Sequence, residues 1–349
     1  MIPISVCIIT KNECDKLEKC LQALQPYSFE IVVVDTGSID ASKEIARKYT
    51  NKLYDFEWVD DFSAARNYSI SRASHNMILC LDTDEYIVDL DMEQLQSLIE
   101  ENPKSVGLIK RLDYFEVNGE KRCQISRIER IFNRRYYHYE GTVHEVISPL
   151  GKNPYISYEA PVTADHDGYV GSKQKLEEKA LRDLNLLLKE IEKDPDNPYH
   201  YFQIAQSYML MRDEEHACDY FKLAMEKNPN PADEYTRILI CNYGNILAES
   251  NRADEALPLL NYYEHYDDNA DYLCMAGLIW LYLGQSLKAL PEFVKALTAP
   301  KRDSLNPVLP SYYIGFIYEL FGKKDIALTH YQKCGDFVPA LERIAALTS

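Results

Sequence analysis

The sequence predicts an α/β domain built on a parallel sheet, followed by an all-α arm of stacked helical pairs. Three observations carry this expectation. In the first fifty residues a strand-like run, a polar loop and a helix-like segment follow one another twice. At Met77-Ile78-Leu79-Cys80-Leu81 a continuous apolar run, read as a buried strand, stops at Asp82-Thr83-Asp84. Beyond residue 200 a small residue is followed twelve positions later by alanine in four places.

Taken in order, Ser5 to Thr10 is β-branched and apolar and gives way to Lys11-Asn12-Glu13. Asp15 to Leu24 then carries Leu17, Cys20, Leu21 and Leu24 at helical spacing. The second unit runs from Phe29 to Val34, through the loop Asp35 to Asp40, into a helix over 41–49. In such sheets ligands bind outside the carboxyl ends of the strands, where Asp35, Ser38 and Asp40 fall. Asp60 to Asn67 opens a further helix that leads to the Met77 strand. Two carboxylates at i and i+2 after a strand suit a hard divalent cation, Mg²⁺ or Mn²⁺, bound together with substrate phosphates. Neither Gly-x-Gly-x-x-Gly nor Gly-x-x-x-x-Gly-Lys-Ser/Thr follows the first strand, so the usual dinucleotide and P-loop readings fail. Residues 107–155 read as short polar strands, an antiparallel extension framing an acceptor site.

Composition narrows the class. At 349 residues with 46% hydrophobic content, the chain is expected to hold two or three globular domains. A formal charge of −17 disfavours nucleic acid and anionic membrane surfaces as partners. The first residues lack the basic region and cleavage site of a signal peptide, and no apolar run reaches a membrane span, so cytoplasmic residence without membrane insertion is expected. Nine scattered cysteines without a Cys-x-x-Cys pair read as reduced thiols.

Four ordered motifs then carry a resemblance. Val6 to Glu13, Ile31 to Asp40, Phe62-Ser63-x-x-Arg66-Asn67 and Leu81-Asp82-Thr83-Asp84-Glu85 resemble the family 2 glycosyltransferases, whose fold is GT-A, the Rossmann-like nucleotide-diphospho-sugar transferase fold. The resemblance implies a nucleotide-sugar donor, with Thr10, Asn12, Glu13, Asp35 and Ser38 around the nucleotide and Arg66 facing the base or pyrophosphate. It implies Mn²⁺ or Mg²⁺ at the Asp-x-Asp element, with Asp84 as direct ligand, Asp82 shared between sugar and metal shell, and Thr83 at the donor. Asp35 implies a lean towards uracil, hence a UDP-sugar. Arg127 to Asn133 and Tyr139 to Glu145 resemble segments of one branch of the family. An inverting transfer needs a base near the acceptor, and Glu145 is the candidate. The segment Asp165-His166-Asp167-Gly168-Tyr169 resembles the same branch, and His166 is the candidate third ligand of the metal. Arg130 stands ready to assist Arg66 against the charge of the departing diphosphate.

Lys173 to Lys193 reads as a charged helix ended by Asp194-Pro195. The recurring pairs are Ala205/Ala217, Gly244/Ala256, Gly277/Ala289 and Gly315/Ala327, with Phe221, Leu260, Phe293 and Tyr331 four residues past each alanine. They resemble the tetratricopeptide pattern, in which small residues let two antiparallel helices approach and the larger side chain fills the layer between. Expected boundaries are a catalytic domain over 1–171, a helical linker over 172–197 and repeats over 198–349. The layout is similar to bacterial peptide and protein glycosyltransferases, so a peptide or protein acceptor is expected at the repeats. Self-association through the repeats is the competing role. A saccharide acceptor of cell-surface polysaccharide or lipopolysaccharide synthesis is the alternative within the class, and a non-catalytic nucleotide-binding scaffold the alternative outside it.

Overall fold

The computed structural model describes residues 2–117, 120–167, 173–303 and 306–348. Gly168, Tyr169 and the expected boundary at residues 171 and 172 lie outside the described residues. The chain forms two compact units, Met1–Glu190 and Ile191–Ser349.

The first unit alternates strand and helix: β1 (Ile4–Thr10), α1 (Cys14–Leu24), β2 (Glu30–Asp35), α2 (Ser42–Tyr49), β3 (Lys52–Asp55), α3 (Phe62–Arg72) and β4 (Met77–Leu81). There follow β5 (Glu85–Leu90), α4 (Met92–Glu101), β6 (Val106–Val117), β7 (Glu120–Asn133), β8 (Tyr137–Glu140), β9 (Val146–Pro149), β10 (Ser157–His166) and α5 (Lys173–Lys193), whose last turn crosses the boundary. Eight strands make one sheet in the order β3-β2-β1-β4-β7-β6-β10-β5. The half from β3 to β4 is parallel, as the repeated strand-loop-helix units require. The chain leaves β1 first to one side and later to the other, so the ends of β1 and β4 flank a topological switch point, the usual place for a ligand.

Strand alternation sorts the core onto two faces. Val6, Ile8, Val33, Leu79 and Leu81 pack with Leu17, Leu21 and Leu24 of α1, while Cys7, Val32, Ile78 and Cys80 pack with Ile70, Phe132 and Tyr139. Because both faces are covered, β4 reads as an unbroken apolar run. Asp61 caps α3 by accepting from the Ala64 N–H at 2.9 Å, which sets the register of Arg66 and Asn67.

One expectation is corrected here. The strands after residue 107 are not short: β6 and β7 span 12 and 14 residues, form a long hairpin and join the main sheet through β4–β7 pairing. Only β8 and β9 form the small separate pair. The misreading has a physical cause, since Arg111 and Arg130 look like solvent-facing residues in sequence but spend their charge on partners inside the domain.

The second unit contains α6 (Pro198–Leu210), α7 (Glu214–Glu226), α8 (Glu234–Glu249), a 3₁₀ turn (Leu257–Tyr262), α9 (Tyr263–Tyr266), α10 (Ala270–Tyr282), α11 (Ser286–Thr298), α12 (Leu309–Leu320), α13 (Lys324–Gln332) and α14 (Val338–Thr348). The small-residue markers are buried, and their size matters. A Cβ on Gly277 would stand 2.8 Å from the Phe293 ring, and one on Gly315 2.9 Å from the Tyr331 ring. The longer spacings in the repeat fall at the connections 227–233 and 299–308, against 267–269 between α9 and α10. In the second repeat a 3₁₀ turn, with Pro258 in its first positions, follows α8 where a second helix is expected, and Leu259 is its buried side chain. No helix among the described residues is long and apolar enough to cross a membrane. All nine cysteines are free thiols.

Candidate active site

The loops after β1 and β2 are laced together. The Asn12 N–H donates to Ser38 Oγ at 2.9 Å, Asn12 Oδ1 accepts from the Ile39 N–H at 2.8 Å, and the Glu13 N–H donates to Ser42 Oγ at 3.2 Å. Asn12 sits at φ 54°, a left-handed conformation that asparagine tolerates better than most residues. Asp35 closes β2 and uses Oδ1 to accept the Gly37 and Ser38 N–H groups at 3.0 and 2.9 Å. Its other oxygen, Oδ2, and Thr10 Oγ1 are buried and find no hydrogen-bond partner among the described residues.

The loop after β4 is joined to these through two contacts: Thr83 Oγ1 donates to Glu13, and Lys16 Nζ lies 3.2 Å from Asp84 Oδ2. Asp82 is gripped by two arginines. Arg66 Nη2 reaches Oδ1 at 2.6 Å and Arg130 Nη2 reaches Oδ2 at 2.8 Å. Burial works against a charged Asp82, but the two guanidiniums outweigh it and hold the carboxyl well below the usual carboxylate range. Arg66 also donates from Nε to Glu145 Oε1 at 2.5 Å and lies over the Tyr139 ring at 5.3 Å, while its Nη1 is buried without a partner among the described residues. Asn67, next in the motif, exchanges hydrogen bonds with the Tyr139 backbone, and the Phe62 N–H donates to the Thr142 carbonyl at 2.8 Å. One helix thus fixes the loop that carries Glu145.

Sequence reasoning left four members of this site without a role. Glu85, fully buried, accepts from Arg130 Nε at 2.9 Å and Nη2 at 2.7 Å, and Arg111 Nη1 lies 3.3 Å away. Arg111 Nε is 2.7 Å from Asp113 Oδ1, and that oxygen is 2.8 Å from His166 Nδ1. Lys16 is the fourth. The signal for Glu85 was present, as a carboxylate one residue past the Asp-x-Asp pair at the start of a strand. Asp113 and Arg111 have none, because only strand pairing brings them in.

The expected metal ligands separate in space. Asp82 has each oxygen committed to an arginine, whereas Asp84 Oδ1 faces His166 Nε2 at 3.7 Å. No group of three His, Cys, Asp or Glu side chains among the described residues is arranged to hold a metal by itself. The Asp84/His166 pair fits a divalent ion that also takes oxygens from a diphosphate, since two ligands each about 2.1 Å from one ion stand about 3 to 4 Å apart.

Paired acidic and arginine side chains at a topological switch point make a site suited to a phosphate-bearing ligand. Residues 5–150 match the family described as Glycosyl transferase family 2. Among relatives, a TPR repeat-containing protein of Synechococcus elongatus is 32% identical over 42% of this chain and 36% of its own length. The SPbeta prophage-derived glycosyltransferase SunS of Bacillus subtilis is 27% identical over 86% of this chain and 72% of its own length. The lipopolysaccharide core biosynthesis glycosyltransferase LpsC of Rhizobium meliloti is 26% identical over 43% of this chain and 58% of its own length. The chain therefore spans about a third of the first of these relatives and most of the second.

Proposed function

We propose that this protein is a metal-dependent, inverting glycosyltransferase that moves a sugar from a UDP-sugar donor to a side chain of a peptide or protein. The observation that carries the donor reading is the set of buried polar atoms left unpaired at the ends of β1, β2 and in α3: Thr10 Oγ1, Asp35 Oδ2 and Arg66 Nη1. Such atoms are costly unless a ligand satisfies them. Asp35 Oδ2 suits an N–H of the base, Thr10 Oγ1 the nucleoside, and Arg66 Nη1 a phosphate oxygen. Asp84 and His166 would hold Mn²⁺ or Mg²⁺ with the diphosphate, and that ion supplies positive charge against the charge of the departing group.

Glu145 is the base in this reading. Its Oε1 is bound by Arg66, which keeps the carboxylate oriented and leaves proton uptake to Oε2. As the acceptor oxygen or sulfur bonds to the anomeric carbon, its proton passes to Glu145 and the bond to the nucleoside diphosphate breaks on the opposite face. The anomeric centre inverts in a single displacement.

The polypeptide acceptor rests on the tandem helical hairpins of the second unit, whose small-residue spacing resembles the tetratricopeptide pattern. A saccharide acceptor is the second reading, favoured by the similarity to LpsC. Nine free thiols fit a reducing, cytoplasmic setting. The test is a thermal-shift screen of nucleotide sugars with and without Mn²⁺. A UDP-sugar at a hundred times its Kd stabilises the native state by about 2.7 kcal/mol. The expected result is a Tm rise for UDP-sugars that grows with Mn²⁺. A rise indifferent to Mn²⁺, or confined to another base, overturns this donor and metal assignment.

A further inference from the structure

We propose that Asp113 is a positioning residue of the cation subsite, orienting the His166 ring so that Nε2 faces Asp84. The proposal rests on the reading of Asp84 and His166 as cation ligands. Strand register makes the arrangement. His166 ends β10 and is paired across the sheet with Asp113 of β6 on one side and Glu85 of β5 on the other, so the three side chains stand on one face.

Asp113 is 4% exposed and both of its oxygens are held. Oδ1 meets His166 Nδ1 at 2.8 Å and lies 2.7 Å from Arg111 Nε in a charge contact outside hydrogen-bond geometry, and Oδ2 accepts from Ser126 Oγ. The carboxylate therefore cannot swing away from the ring. A carboxylate accepting from Nδ1–H selects the tautomer whose lone pair is on Nε2 and fixes the ring plane. The Nε2 to Asp84 Oδ1 separation of 3.7 Å is too long for a hydrogen bond and suits two ligands of one ion. Arg111 is itself pinned between Asp113 and Glu85, and Glu85 holds Arg130, so the orientation of His166 is anchored to the same buried network that holds Asp82.

The test measures Mn²⁺ binding to the full chain in saturating UDP by EPR titration, with pulsed EPR for ¹⁴N coupling to the ion. Asp113→Asn is expected to weaken Mn²⁺ binding about 10- to 100-fold and to reduce the ¹⁴N modulation, with Tm monitored alongside. Asp113→Glu should recover part of the affinity, which a merely structural role would not require. Ser126→Ala, a milder change, should cost a few-fold and keeps the test open if Asp113→Asn fails to fold. If His166→Ala weakens binding and abolishes the ¹⁴N signal while neither Asp113→Asn nor Ser126→Ala alters them, the positioning role is overturned and the ligand reading stands. If wild type shows no ¹⁴N coupling, or His166→Ala leaves Mn²⁺ binding unchanged, the underlying ligand reading is overturned.

Discussion

Replacing Arg66 with alanine probes the centre of the site. The Arg66 side chain is 7% exposed and its guanidinium bonds two carboxylates, Asp82 at 2.6 Å and Glu145 at 2.5 Å, whose side chains keep 32% and 13% exposure. Removing one partner of a buried pair costs about 3–5 kcal/mol, because the charge left behind has lost its compensation. Arg130 still holds Asp82 from the other side, and water reaches part of that side chain, so the expected loss is about 2–4 kcal/mol at pH 7. The sign of the pH dependence follows from the depressed Asp82 carboxyl. A carboxyl whose folded pKa lies below its unfolded value stabilises the fold above the unfolded value, about 3.9, and that contribution fades as pH falls through the folded one. In Arg66→Ala the folded value moves back up towards the unfolded one, so the difference from wild type should hold from pH 7 down to about 4 and shrink only below that, as pH falls from the variant's folded value towards the wild type's. Urea unfolding of the first unit, followed through Trp58 in a Trp280→Phe background, measures it as a shift in midpoint at constant m. A loss below about 1 kcal/mol at pH 7, or one that does not shrink as the pH is lowered from about 4 towards about 2.5, would refute the charge-pair account. Arg66→Lys should recover little, since a single ammonium cannot serve two carboxylates as a planar fork does.

Three further outcomes are expected. Glu145→Gln should leave UDP-sugar binding by calorimetry within a few-fold of wild type while lowering kcat by about 10²- to 10⁴-fold; unchanged turnover removes Glu145 from the base role. Gly277→Ala should destabilise the second unit by about 1–3 kcal/mol in urea, because the added methyl meets the Phe293 ring at 2.8 Å; a neutral result would mean that the ring yields without strain. Deleting residues 191–349 should preserve the UDP-sugar thermal shift yet lower kcat/KM for a polypeptide acceptor, and an undiminished kcat/KM would deny the repeats a part in acceptor recognition.

Much of the architecture could be read from neighbours along the chain. The β4 run is visible because a strand covered on both faces has no polar alternation to hide it. The helix α1 shows through the spacing of Leu17, Leu21 and Leu24, all buried where the period places them. The repeat was legible because Gly277 and Gly315 must be small wherever a ring packs directly on the backbone of the partner helix. The long β6–β7 hairpin was harder, since its charged residues imitate a solvent-facing strand.

The sequence alone was sufficient for the order of elements, the class of the domain and the loops that converge at the switch point, because each is written in local pattern and in motifs of fixed spacing. Tertiary structure decided which charge meets which. Arg130 comes from β7, Arg111 and Asp113 from β6, His166 from β10 and Glu85 from β5, and these strands are neighbours in an order unlike their order in the chain. That is why Asp82 and Asp84, two residues apart in one motif, part company: Asp82 falls between Arg66 and Arg130, while Asp84 turns to Lys16 and His166. Register across a mixed sheet sets those distances, and side-chain spacing along the chain carries no record of them.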